Sequence, residues 1–256
     1  MEDKSDRISA SIAPANPGFP PGTAPRLGIL MLDTRFPRPQ GDLGNAASWG
    51  VATESMVVPG VGPQEAVQTA EGLRASQLLP AFERAARQLV ERGVAAITTS
   101  CGFLVLLQDE LARASPVPVV TSSLLQLPAL LEDEAQVGVL TVSAERLGEE
   151  HLRCAGVTAG RIHDVVVEGM PQDSTFVRAI LGNQPGADMS HVAHEVVAAS
   201  LRLKARAPRV RTLVLECTNL PPYAQAIEAA TGWRVLSLVD SPVLRGALGN
   251  RATLKA

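Results

Sequence analysis

Val94-Ala-Ala-Ile-Thr-Thr-Ser-Cys101-Gly102 is a short apolar, β-branched run that ends in a thiol and a glycine, and Leu213-Val-Leu-Glu-Cys217-Thr-Asn219 repeats the pattern later in the chain. What precedes each run also matches. Leu27-Gly-Ile-Leu-Met-Leu-Asp33, Glu54-Ser-Met-Val-Val-Pro-Gly60 and an amphipathic stretch over 79–93 lead to the first cysteine. Val137-Gly-Val-Leu-Thr-Val-Ser143, Val165-Val-Val-Glu-Gly169 and an amphipathic stretch over 191–207 lead to the second. A further short apolar strand follows each thiol, at 117–121 and at 235–239. Apolar strands alternating with helical segments are the signature of parallel sheets built from βαβ crossovers, hence an α/β fold. A duplicated unit with a thiol at the same place in each copy points to a two-thiol site between the copies.

The helical periods are explicit. Leu79, Phe82, Ala86, Leu89 and Val90 fall on one face, separated by charged and polar residues, with Gly93 as the stop signal. In the second half Val192, Val196, Leu201 and Leu203 play that part before Pro208. Residues 124–133 are the candidate crossover between halves. Two loops, 34–52 and 169–190, are long for βα connections and suit walls or lids of a site.

At 256 residues the chain suits two domains of ~100–125 residues better than one core. Aromatic residues make up only 3%, so base-stacking platforms are scarce, and a net charge of −3 without a Lys/Arg cluster argues against nucleic acid as a partner. No apolar run reaches the ~18–20 residues of a bilayer span, and the first 25 residues lack a secretory h-region. No membrane partner is expected. Residues 1–25 read as a disordered Pro/Gly/Ala-rich tail, and three dispersed cysteines suggest free thiols in a reducing cytoplasm.

Each cysteine is expected to end a strand and open a helix, at the carboxyl edge where open α/β sheets bind ligands. There the helix start should stabilise a thiolate and move the thiol toward neutrality, although a strand-end cysteine also serves as a small hydrophobe. Cys154, inside a helical stretch, reads as structural. Arg35 and Arg38 follow the first strand, where a guanidinium can grip a carboxylate or simply face solvent, and Arg35 lies nearer the strand end. Thr141 and Ser143 hold the equivalent strand end of the second half, as oxyanion donors or as helix caps. Gly60-Val-Gly-Pro-Gln-Glu65 lacks the last glycine of a dinucleotide loop, and His191-Val-Ala-His194-Glu195 is not the zinc-protease order.

Thr98-Thr-Ser-Cys-Gly-Phe103, Gly138-Val-Leu-Thr-Val-Ser143 with residues 147–156 after it, and Glu216-Cys-Thr-Asn-Leu220 together resemble the aspartate/glutamate racemase superfamily, over roughly residues 26–248. That group includes amino-acid and hydantoin racemases, maleate isomerase and arylmalonate decarboxylase. The resemblance implies two Rossmann-like domains related by a pseudo-twofold, a site in the cleft between them and chemistry at Cα without a cofactor. The expected partition is 26–122 plus about 220–250 for the first domain and 123–219 for the second. Amino-acid racemases of the group carry Asn-Thr after the first cysteine; Gly102-Phe103 here implies a less polar pocket. The Asp33-Thr-Arg35-Phe-Pro-Arg38 loop looks like that of a racemase-like subgroup.

The expected activity is therefore an isomerase: a racemase or epimerase in which Cys101 and Cys217 exchange protons with a carbon next to a carboxylate or carbonyl. Asp33, Arg35, Gly102, Phe103, Thr141, Ser143, Thr218 and Asn219 are the expected substrate-binding residues. The partner is a small molecule, and the pattern is compatible with a homo-oligomer. The alternatives on the same fold are maleate-type cis–trans isomerisation and arylmalonate-type decarboxylation, and from another class, a non-catalytic small-molecule-binding protein.

Overall fold

The computed structural model describes residues 24–251 and 253. The tail expected over 1–25 lies outside the described residues except for Ala24 and Pro25. Among the described residues, eight strands form two sheets. β1 (Leu27–Leu32), β2 (Thr53–Val58), β3 (Ala96–Thr99) and β4 (Val119–Val120) make the first, in the order β2-β1-β3-β4. β5 (Val137–Thr141), β6 (Val165–Gly169), β7 (Thr212–Leu215) and β8 (Arg234–Leu236) make the second, in the order β6-β5-β7-β8. Every pairing is parallel. The two halves thus repeat one topology, and in each the strand order reverses beside its first strand.

That reversal positions the site. In an open parallel sheet the crossovers on either side of the reversal leave a crevice at the strands' carboxyl ends. The crevice falls between β1 and β3 in one half and between β5 and β7 in the other, which are the strands that end at Asp33, Cys101, Ser143 and Cys217. The central strands are covered on both faces, so β1 and β5 are wholly buried and read as continuous apolar runs. The buried threonines of β3 satisfy their hydroxyls by donating to the next strand: Thr98 Oγ1 to Val120 O at 2.8 Å and Thr99 Oγ1 to Thr121 O at 2.7 Å.

The helix Leu79–Glu91 buries Phe82, Ala85, Ala86 and Leu89, and Gly93 just beyond it adopts φ +73°, a conformation that glycine takes without a Cβ clash. The helix Val192–Arg206 buries Val192, Val196, Ala199 and Leu203, but Leu201 is exposed; the seam is narrower than the sequence pattern suggested. The two long loops carry structure of their own, a 3₁₀ turn over Ala46–Ser48 and a helix over Thr175–Leu181. The expected domain partition needs correction at its C-terminal end. β8 pairs with β7, so residues up to Leu236 belong to the second sheet. Only the chain after it returns: Leu238, Val239, Leu244 and Leu248 pack on Leu27, Ile29, Met31 and Trp49 across the outer face of the first sheet.

Candidate active site

Both cysteines leave their strands in the same way. Ser100 N donates to Leu30 O at 3.0 Å and Glu216 N donates to Leu140 O at 2.9 Å, each extending the ladder one residue past the strand before the thiol. Ser100 and Glu216 are therefore structural equivalents. Cys101 caps the 3₁₀ helix Gly102–Leu107, as expected. Cys217 does not open a helix directly; a turn intervenes and the next 3₁₀ helix starts at Pro221. Thr218 Oγ1 donates to Ser100 O at 2.7 Å, which pins the two thiol-bearing turns to each other across the halves.

Cys101 and Cys217 line one cavity of about 320 Å³ including its open mouth. Leu32, Phe36, Val67, Val142 and Ile180 supply apolar walls, while Arg38, Glu216, Thr218 and Asn219 bring the polar groups. The polar side is wired together. Arg38 Nη1 donates to Asp42 Oδ1 at 2.7 Å and Nη2 to Thr34 Oγ1 at 3.1 Å, with the guanidinium 4.6 Å above the Phe36 ring. Asp42, buried, accepts from Asn219 Nδ2 on its other oxygen at 2.6 Å. Asn219 Oδ1 in turn accepts from the Cys217 thiol at 3.5 Å. A continuous chain of contacts thus joins Arg38 to Cys217 through a carboxylate and an amide.

Electrostatics run against the expectation that the thiols move toward neutrality. Burial, and then the carboxyl of Glu216, push Cys101 up to about 12; the N–H groups of Phe103 and Leu104 and the Arg38 charge oppose this. Cys217 is raised well above the ordinary thiol range by the same two causes, against the N–H of Asn219. The partial charge of a helix start is small beside the cost of burying a thiolate among largely apolar walls. Glu216 itself is pushed up to about 7 by burial, despite the hydrogen bond from Thr141 Oγ1 to its Oε2 at 2.6 Å. These causes favour the neutral thiol at both positions. Cys101 is the easier to ionise, because more N–H groups and the arginine face it.

No protein-family model matches the sequence. The chain is 28% identical over 249 residues to a dimethylsulfoniopropionate lyase of Durusdinium sp. clade D, covering 90% of this chain and 79% of that protein. It is 33% identical over 226 residues to dimethylsulfoniopropionate lyase 5 of Emiliania huxleyi, covering 84% of this chain and 44% of that one. It is 32% identical over 216 residues to lyase 3 of the same organism, with 81% and 55% covered, so the chain spans about half the length of these Emiliania relatives. Among solved structures, arylmalonate decarboxylase matches at a TM-score of 0.56 and 16% identity, over 90% of this chain and 96% of that one. Allantoin racemase from Pseudomonas fluorescens matches at 0.53 and 16%, over 82% and 84%. Aspartate racemase from Picrophilus torridus matches at 0.52 and 14%, over 90% and 96%. The chain has the fold of the aspartate/glutamate racemase superfamily.

On this superfamily fold, six residues singled out in the sequence come together: Cys101, Gly102, Phe103, Cys217, Thr218 and Asn219 all line the cavity. Four do not. Thr141 is buried behind the wall and holds Glu216, and Ser143, also buried, has no hydrogen-bond partner for its hydroxyl among the described residues. Asp33 is exposed, its carboxylate accepting from Gly60 N at 3.3 Å, and Arg35 is exposed with its backbone N–H on Asn183. Arg38 takes the place expected of Arg35, because Asp42 turns its guanidinium inward. Sequence reading missed Asp42 and Glu216. The second left a signal: a carboxylate closing an otherwise apolar strand, Leu213-Val-Leu-Glu216, directly before the thiol.

Proposed function

We propose that this protein is a carbon–sulfur lyase that removes the Cα proton of a β-sulfonio carboxylate such as dimethylsulfoniopropionate. The observation that carries this reading is one small cavity lined by two thiols, a guanidinium and apolar walls. It is supported by the sequence relatives, which are named dimethylsulfoniopropionate lyases. Arg38 receives the substrate carboxylate, and the aliphatic wall of Leu32, Val67, Val142 and Ile180 receives the sulfonium methyls. Cys101, as thiolate, takes the Cα proton. The freed electron pair forms the Cα–Cβ double bond while the Cβ–S bond breaks, and its pair leaves with sulfur as neutral dimethyl sulfide. Acrylate remains, and the new Cys101 thiol returns its proton to solvent.

The charge on such a substrate answers the difficulty that both thiols are held neutral. A fixed positive charge 4 Å from the sulfur contributes about 4 kcal/mol at an effective dielectric of ~20. That favours thiolate by a factor of about a thousand. A second carboxylate in the same place would do the opposite, which argues against dicarboxylic amino acids. The second reading is the isomerase expected from the sequence, and the observation favouring it is the second thiol in the same cavity. Mixing the purified protein in deuterated water with dimethylsulfoniopropionate, and separately with a chiral α-substituted carboxylate, separates the two. The lyase reading expects dimethyl sulfide and acrylate in equal amounts. Cα deuteration of a chiral carboxylate with neither product favours the isomerase, and no reaction with either sinks both.

A further inference from the structure

We propose that Glu216 works as a neutral carboxylic acid, donating a hydrogen bond from Oε1 to the substrate carboxylate as negative charge builds on it. This rests on the reaction class above but assigns a role to a residue outside the proton-transfer pair. Glu216 is 1% exposed and lines the same cavity as the two cysteines. Its two oxygens are not equivalent. Oε2 accepts from Thr141 Oγ1 at 2.6 Å, and Thr141 Oγ1 itself accepts from Ser143 N at 3.4 Å, so the threonine proton points at Glu216. The acid's own proton therefore belongs on Oε1, which has no partner among the described residues. A buried hydroxyl donor without an acceptor is costly unless a ligand supplies one.

The backbone opposite is shaped around this oxygen. A Cβ on Gly102 would lie 2.4 Å from Oε1 and 2.3 Å from the Glu216 carbonyl oxygen, so only glycine leaves room for the carboxyl beside Cys101. Oε1 thus sits against the residue that follows the base. Charge builds on the substrate carboxylate when Cα loses its proton, and a preorganised donor to it lowers the barrier more than it tightens ground-state binding. Neutrality has a second consequence. An ionised Glu216 opposes thiolate formation at both cysteines, whereas the acid form removes that opposition. A carboxylic acid kept neutral by an apolar site so that it can act as a donor is a known device of enolate chemistry.

Glu216→Gln keeps the shape and places an amide N–H where the acid proton was; Glu216→Leu keeps the bulk and removes the donor. With dimethylsulfoniopropionate, Glu216→Gln is expected to lose about tenfold or less in kcat, and Glu216→Leu on the order of a hundredfold or more. The wild type should lose activity as pH rises through about 7, and Glu216→Gln should not. Equal losses in the two variants, or identical pH profiles for wild type and Glu216→Gln, overturn the proposal. Calorimetric binding of acrylate, which needs no turnover, keeps its failure distinct from failure of the lyase reading. Acrylate affinity should fall at least tenfold in Glu216→Leu, and in the wild type between pH 6 and pH 8. Equal affinity across all three proteins, or no binding to any, rejects the donor role even where the reaction proves to be another.

Discussion

The two cysteines occupy equivalent backbone positions but unequal surroundings, and that inequality is what mutations can read. Cys101 faces the amides of Phe103 and Leu104 and the Arg38 charge, while the Cys217 thiol donates a hydrogen bond to Asn219 Oδ1 and feels the Asp42 charge. Elimination of a good leaving group needs one base; racemisation needs an acid on the other face as well. Cys101→Ser should lower kcat/KM for dimethyl sulfide release by about a thousandfold or more, because a serine hydroxyl cannot supply a comparable base. Cys217→Ser should cost far less, about tenfold. Comparable losses in both, with proton exchange surviving from only one face in each, would instead mark a two-base isomerase. The sequence displayed both thiols through its internal repeat. It could not display their ionisation, which depends on burial and on Glu216, the neighbour of Cys217 in sequence, reaching Cys101 from the other half.

The first long loop shows how an element decides which side chain counts. In sequence, Arg35 is nearer the strand end and looks better placed. In three dimensions Asn183 accepts the Arg35 N–H at 2.6 Å and donates to Asp33 O at 3.1 Å, so that part of the loop faces the rim and the Arg35 side chain stays in solvent. Three residues later the chain has turned, and Asp42 draws Arg38 into the wall. Asp42 is itself fixed from the second half by Asn219, and Leu43 N donates to Thr218 O at 3.0 Å. Loop geometry set by such long-range partners carries no periodic signal, whereas strands and helices do. That is why the alternation of β and α was legible and the arginine was not. Arg38→Ala should raise KM for a carboxylate substrate by about a hundredfold, consistent with loss of a charge-assisted contact of ~1.5–3 kcal/mol. Arg35→Ala should leave kinetics within about twofold, since an exposed side chain contributes little. A larger effect at Arg35 would mean that the loop closes further over bound substrate.

For the whole molecule, the repeat places two chemically awkward groups, a thiol and a carboxyl, at the junction of its halves, and stability should register that placement. Glu216 has a folded-state value of about 7 against an ordinary carboxyl value of 4.5, and burial is the leading cause. The fold therefore binds a proton that the unfolded chain has already released between those pH values. For a carboxyl with a raised value, linkage makes this contribution fully present below about pH 4.5 and lost as pH climbs through about 7. The full difference is roughly 3 kcal/mol, a large share of a typical domain's 5–15 kcal/mol. Carboxylates held by hydrogen bonds, such as Glu195 on the Thr175 and Phe176 amides, act in the opposite direction at lower pH, so the wild-type curve alone mixes both signs. Subtraction isolates the term. Denaturant unfolding of wild type and Glu216→Gln at pH 5, 6, 7 and 8 should show the variant gaining on the wild type by about 2.5 kcal/mol between the first and last of these, since part of the term is already lost at pH 5. A stability difference that stays constant with pH would mean that Glu216 is ionised in the folded protein throughout. The cavity would then hold a permanent anion beside both thiols, a site suited to binding cations but not to forming a thiolate.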